Sequence, residues 1–129
     1  AKAVIYLSKT AEILLSKYAG DIPASVEELC ALPGVGPKMA YLTMQVAWKQ
    51  NTGIGVDTHV FRVSNRTGLA YGKNPDEVQK NLYKVVPKKY LKKAGHTILL
   101  HGRHTCKARS PSCKTCVIIK FCKYQKKEF

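Results

Sequence analysis

Apolar residues recur at helical spacing from the start of the chain. Val4, Leu7, Ala11, Leu14 and Leu15 share one face of a stretch that predicts an amphipathic helix over 2–18, ending at Gly20. Asp21-Ile22-Pro23 reads as a turn. Ser25 with Glu28 three residues on forms a capping box that starts a short helix through Leu32. Pro33-Gly34-Val35-Gly36-Pro37 then interrupts the pattern, and apolar periodicity resumes from Pro37 to about Lys49. Residues 25–49 therefore read as helix, tight hairpin, helix.

A loop from Gln50 to Val56 leads to Asp57, placed as an N-cap, with Val56 and Phe61 flanking it as a hydrophobic staple. That helix stops near Gly68. Asn74-Pro75-Asp76-Glu77 supplies a further start: a cap, a proline at the first helical position and acids in the first turn. A last helix is expected from about Pro87 into Cys106, weakened by Gly95. No strand pattern and no repeat is visible, so the fold class is all-α. Residues 1–86 are expected to form one region and 87–129 a second, comprising the last helix and the cysteine-rich end.

Composition narrows the partners. At 129 residues and 45% hydrophobic the chain is one domain's worth of material, with no apolar run near the length that spans a bilayer. Of the net charge of +14, little lies in residues 1–56, which carry five lysines against four acids; residues 57–129 carry 17 Lys and Arg against four acids. Such asymmetry points to a polyanion, nucleic acid ahead of an anionic membrane, with a merely solubilising surface as the plain alternative.

Four cysteines close the chain as Cys106-x6-Cys113-x2-Cys116-x5-Cys122, with no acid between the first and the last. Structural zinc sites usually pair ligands as two short knuckles, whereas here only Cys113 and Cys116 form one. A [4Fe-4S] cluster offers four irons to four thiolates and tolerates uneven arms, so spacing favours the cluster without removing zinc. Two disulfides are the remaining alternative, disfavoured by the odd fifth cysteine, Cys30. Lys107, Arg109, Lys114 and Lys120 would offset the charge of a tetrathiolate centre.

The glycine-punctuated turn Leu32-Pro33-Gly34-Val35-Gly36-Pro37-Lys38 feeds a helix start, where free N–H groups and the helix dipole favour an anion. Gly34, Val35 and Gly36 are the candidate phosphate contacts, and a plain hairpin turn is the alternative. The helix from Pro37 travels about 18 Å, and the loop after it can span roughly 23 Å. The chain can therefore return to its starting end, so that Lys38 and Asp57 share a cleft. A lysine at a positive helix end is a usable nucleophile when its ammonium is destabilised, and an aspartate nearby can handle its proton. Ordinary capping by Asp57 and phosphate binding by Lys38 remain the bland readings.

Three motifs in order resemble the endonuclease III family of helix-hairpin-helix-Gly/Pro-Asp DNA glycosylases: Leu32 to Ala40, Val56-Asp57-Thr58-His59-Val60, and His101-Gly102-Arg103 before the cysteine array. The resemblance extends to about Lys126. It implies base-excision repair by a bifunctional N-glycosylase and abasic-site lyase. An oxidised pyrimidine would be flipped out of duplex DNA, Lys38 would attack the sugar C1′ and form a Schiff base, Asp57 would assist, and β-elimination would cut the strand 3′ to the lesion. Cys106, Cys113, Cys116 and Cys122 match the family's [4Fe-4S] ligands. Lys107, Arg109 and Lys114 would belong to a basic loop on DNA. A monomer acting on oxidised or abasic double-stranded DNA is implied, without a membrane partner, in the nucleus or mitochondrion of a eukaryote or the cytoplasm and nucleoid of a bacterium. A non-catalytic iron–sulfur or zinc DNA-binding module is the alternative.

Family members begin with further helices that are lacking here, so the chain reads as a fragment expected to expose an apolar face and to have impaired or absent activity. Cys30 is expected to pack in the core. His59 is placed for either a substrate contact or a structural hydrogen bond. His96, His101 and His104 are expected beside the metal centre or at the surface.

Overall fold

The computed structural model describes residues 1–129. Six α-helices follow one another: α1 (Lys2–Lys17), α2 (Val26–Cys30), α3 (Pro37–Ala47), α4 (Thr58–Thr67), α5 (Pro75–Val85) and α6 (Leu91–His104). Single 3-10 turns lie at Lys88–Tyr90 and Cys113–Thr115. There is no strand, and no helix is long and apolar enough to cross a membrane. The residues form two compact units, Ala1–Gly55 and Val56–Phe129.

In the first unit, Ser25 caps α2 by accepting from the Glu28 N–H at 3.1 Å, and its own hydroxyl reaches the Glu28 carboxylate at 3.2 Å. Leu29 and Leu32 then meet Ala40 and Met44 of α3 in a small core, joined by Ile13, Leu14, Val26, Cys30, Val35 and Trp48. Cys30 is thus a packing residue. The Trp48 indole N–H donates to the Pro23 carbonyl at 3.0 Å, which ties the end of α3 to the turn before α2. Lys49 adopts φ 55° and ends α3 two residues short of the expected boundary. An L-residue in that conformation cannot continue a right-handed helix.

The apolar face expected on α1 is only partly used. Leu14 packs on the core, but Val4, Leu7 and Leu15 are 70%, 71% and 72% exposed. Met39, Leu42 and Val46 of α3 are exposed as well. Amphipathic spacing fixes which residues share a face; only a partner element fixes whether that face is buried.

The second unit is built around α4 against α6, with α5 packed on α4. Val60, Val63, Val78, Leu82 and Leu91 form its buried apolar centre. Gly102 lets α6 approach α4 closely: a Cβ there would lie 2.9 Å from Val63 Cγ2 and 3.0 Å from His59 Cβ. Gly95 is accommodated inside α6 without interrupting it, and the helix begins at Leu91 after the 3-10 turn rather than at Pro87.

Candidate functional site

The hairpin between α2 and α3 is shaped by local rules. The Val35 N–H donates to the Leu32 carbonyl at 3.2 Å, and Gly34 sits at φ 78°, a left-handed conformation. Tyr6 of α1 lies against Gly34, where a Cβ would come within 2.8 Å of Tyr6 Cδ2. Thr10 Oγ1 donates to the Pro33 carbonyl at 3.4 Å. Gly36 caps α3 without any side-chain hydrogen bond, and Pro37 occupies the first turn. Gly34, Gly36 and Lys38 are exposed and Val35 is half-buried. The result is an uncapped helix start at an exposed turn, with Lys38 in its first turn, a geometry that offers backbone N–H groups to an anion.

After α3 the chain does turn back. Gly55 lies against Lys38, so closely that a Cβ at 55 would stand 3.1 Å from Lys38 Cγ and 3.2 Å from the Lys38 carbonyl oxygen. The loop thereby closes on the start of the helix it follows.

In the second unit, Asp57 is the N-cap of α4, its Oδ1 accepting from the Val60 N–H at 2.8 Å. The carboxylate is half-buried. His59 accepts at Nδ1 from Arg62 Nη2 at 3.1 Å. An arginine can only donate, so the imidazole Nδ1 is the acceptor and the hydrogen bond expected as one option for His59 is made.

The cysteine array follows α6. All five cysteines are thiols, with no disulfide among them. Cys106, Cys113, Cys116 and Cys122 all line one partly open hollow, together with Ile118, Ile119 and Tyr124. No three His, Cys, Asp or Glu side chains converge on a point where one ion could be held. The Cys116 Sγ lies 3.8 Å from His101 Nε2, and burial pushes the His101 imidazole below its ordinary pKa. Lys107 and Arg109 are exposed on the loop between Cys106 and Cys113, and Lys114 is exposed in the following 3-10 turn.

Two residues that sequence reading passed over organise this end of the unit. Arg62 donates from Nε to the Cys106 carbonyl at 3.0 Å and from Nη2 to the Gly102 carbonyl at 2.7 Å. It supplies donors and positive charge where the last carbonyls of α6 have none from the helix. Arg66, one turn later, donates to the carbonyls of Lys107 at 2.7 Å and Ala108 at 3.0 Å. The only signal in the sequence was two arginines four apart on one helix.

Residues 17–46 match the helix-hairpin-helix motif family. Over 119 residues the chain is 47% identical to endonuclease III of Buchnera aphidicola subsp. Schizaphis graminum and 46% identical to that of Escherichia coli strain K12, in each case over 92% of this chain and 56% of the relative. The chain thus spans a little over half the length of these curated relatives. A solved structure of a trapped endonuclease III–DNA covalent intermediate, in an estranged-adenine complex, superposes with a TM-score of 0.86 at 37% identity, over 95% of this chain and 57% of the other. A thermostable thymine-DNA glycosylase shares the fold with a TM-score of 0.82 at 23% identity, over 93% of this chain and 57% of the other. With such identity sustained along nearly its whole length, and with the same all-helical fold, the chain is a homologue of endonuclease III over the part of those proteins that it spans.

Proposed function

We propose that the chain carries the nucleophile-bearing part of a bifunctional DNA glycosylase and abasic-site lyase of base-excision repair, acting on oxidised pyrimidines. The observation that carries the reading is the return of the loop to Lys38. Gly55 packs on that lysine, and Asp57 follows two residues later in the sequence. The uncapped start of α3 offers N–H groups to a DNA phosphate, which would set the strand against Lys38.

In the proposed reaction, the damaged base leaves the stack. The Lys38 ammonium gives up a proton, with Asp57 assigned to proton handling, and the freed amine attacks C1′. The N-glycosidic bond breaks, its electron pair leaving with the base, which takes up the proton that Lys38 released. Opening of the sugar gives a Schiff base on Lys38 Nζ. Loss of a proton from C2′ then expels the 3′ phosphate by breaking the C3′–O bond. Water finally releases Lys38.

The cysteine-lined hollow suits a [4Fe-4S] cluster better than one zinc ion. Four soft donors line one hollow among apolar side chains, and their uneven spacing in the chain departs from the paired knuckles of structural zinc sites. Cys106, Cys113, Cys116 and Cys122 would be the ligands. When bound, the cluster supplies a rigid crosslink with the chemistry of four iron–thiolate bonds. The exposed Lys107 and Arg109 beside it would meet DNA phosphates, with Lys114 adjoining them. The similarity to endonuclease III solved in a non-covalent DNA complex supports a DNA partner.

End-group analysis tests the reaction class. Incubation with a duplex carrying one abasic site is expected to give a cut on the 3′ side ending in an unsaturated aldehyde. A 3′-hydroxyl end would mean hydrolysis, and would remove the amine mechanism.

A further inference from the structure

The loop from Cys106 to Cys113 has no helix or strand to hold it. Its ends are joined by the Ser112 N–H donating to the Thr105 carbonyl at 2.9 Å, and Ser110 turns the chain at φ 49°. Between these points Lys107, Ala108 and Arg109 are all exposed. A segment of that kind would sample many conformations unless something fixed its backbone.

Arg66 is placed to fix it. From the last turn of α4 its guanidinium reaches two successive carbonyls of the loop, Nη1 to Lys107 at 2.7 Å and Nη2 to Ala108 at 3.0 Å, while Nη1 also lies 3.7 Å from Cys106 Sγ. Its face rests on the Tyr124 ring, 4.6 Å from guanidinium carbon to centroid. The tail that carries Tyr124 is itself tied to α4, because the Lys123 N–H donates to the Thr67 carbonyl at 3.2 Å and Cys122 Sγ lies 3.9 Å from the Arg66 carbonyl. One planar cation therefore joins the loop after the first cysteine to the tail after the last. A lysine keeps the charge but has neither the rigid fork that spans two acceptors nor the flat face that stacks on a ring.

We propose that Arg66 is a positioning residue for DNA binding: drawing the Lys107 and Ala108 carbonyls toward α4 holds the loop with the Lys107 and Arg109 side chains directed outward at a phosphate backbone. The inference rests on the reading that this loop meets DNA. Arg66 itself touches no phosphate. Its effect is to spare the loop the ordering that binding otherwise demands.

The test measures affinity of the metal-loaded full chain for a duplex bearing a stable abasic-site analogue, across a salt series. Arg66→Lys is expected to weaken binding about tenfold near 0.1 M salt, and to reduce the slope of log K against log salt by about one to two, roughly one for each phosphate the loop no longer meets. Iron content should match the parent. Lys107→Ala with Arg109→Ala should lower the slope equally, and adding Arg66→Lys to that pair should change little more, since all act through the same phosphates. An unchanged slope in the alanine pair overturns the loop–DNA reading itself. A lowered slope in the pair with a parental slope in Arg66→Lys, or strictly additive losses, overturns the role of Arg66 alone. If Arg66→Lys fails to retain iron, Tyr124→Leu decides: an intermediate loss of slope supports positioning, and a parental slope contradicts it.

Discussion

Gly55 and Lys38 are packed so tightly that a single added methyl would stand 3.1 Å from the lysine Cγ and 3.2 Å from its carbonyl oxygen. The side chain could swing aside, but the carbonyl belongs to the first turn of α3 and cannot move without shifting the helix start. Gly55→Ala is therefore expected to displace Lys38 by a few tenths of an ångström and, if the proposed reaction holds, to slow Schiff-base formation about tenfold. Single-turnover kinetics on abasic duplex measure this. A parental rate in Gly55→Ala would mean that the contact does not hold Lys38 for chemistry.

Capping and chemistry can be separated at Asp57. Its Oδ1 accepts from the Val60 N–H at 2.8 Å, a role asparagine fills nearly as well and alanine does not. Asp57→Ala should cost about 1 kcal/mol of stability through loss of the cap, whereas Asp57→Asn should cost only a few tenths. Both should lose lyase activity about a hundredfold or more, because neither can take a proton. Activity that survives in the asparagine variant would reduce Asp57 to a helix cap.

The crossing of α4 and α6 has no room at Gly102. A Cβ there meets Val63 Cγ2 at 2.9 Å, His59 Cβ at 3.0 Å and the His59 carbonyl oxygen at 3.3 Å. Gly102→Ala should destabilise the protein by about 1–3 kcal/mol through overpacking, against the small gain alanine usually brings in a helix. A chemical denaturation curve shows the sign. An increase in stability would mean that the helices can part freely.

Four thiolates around one hollow lead to a specific metal content. The protein should be brown, hold iron and acid-labile sulfide in equal amounts and no stoichiometric zinc, and Cys113→Ser should lower its iron content. Because Cys113 is buried in the 3-10 turn beside the basic loop, iron removal should also weaken DNA binding and make the Cys106–Cys113 segment protease-sensitive. Elemental analysis with limited proteolysis checks both. A colourless zinc protein would replace the cluster with a single-ion centre.

Local chemistry made most of the helix starts readable. Ser25, Asp57 and Asn74 each cap through the side chain that the sequence suggests, accepting from the N–H groups of Glu28, Val60 and Glu77. Helix ends were less legible: α3 stops where Lys49 turns left-handed, a conformation with no glycine to announce it. The face of α1 was legible as a pattern and not as burial, because nothing in the spacing of Val4, Leu7 and Leu15 says what lies across from them. Arg62 and Arg66 were illegible for a different reason. Their acceptors are backbone carbonyls 40 or more residues away, and a carbonyl has no residue type to recognise.

The central claim is that the Lys38 amine bonds to the sugar carbon. Schiff-base formation with the open aldehyde of an abasic site needs no pocket for a base, so borohydride reduction tests the amine alone. Digestion and mass spectrometry of the reduced product should find one sugar fragment per chain, attached at Lys38 Nζ, and Lys38→Gln should yield no adduct. Absence of any adduct on the parent chain, or an adduct that forms equally well on the glutamine variant, would contradict the account.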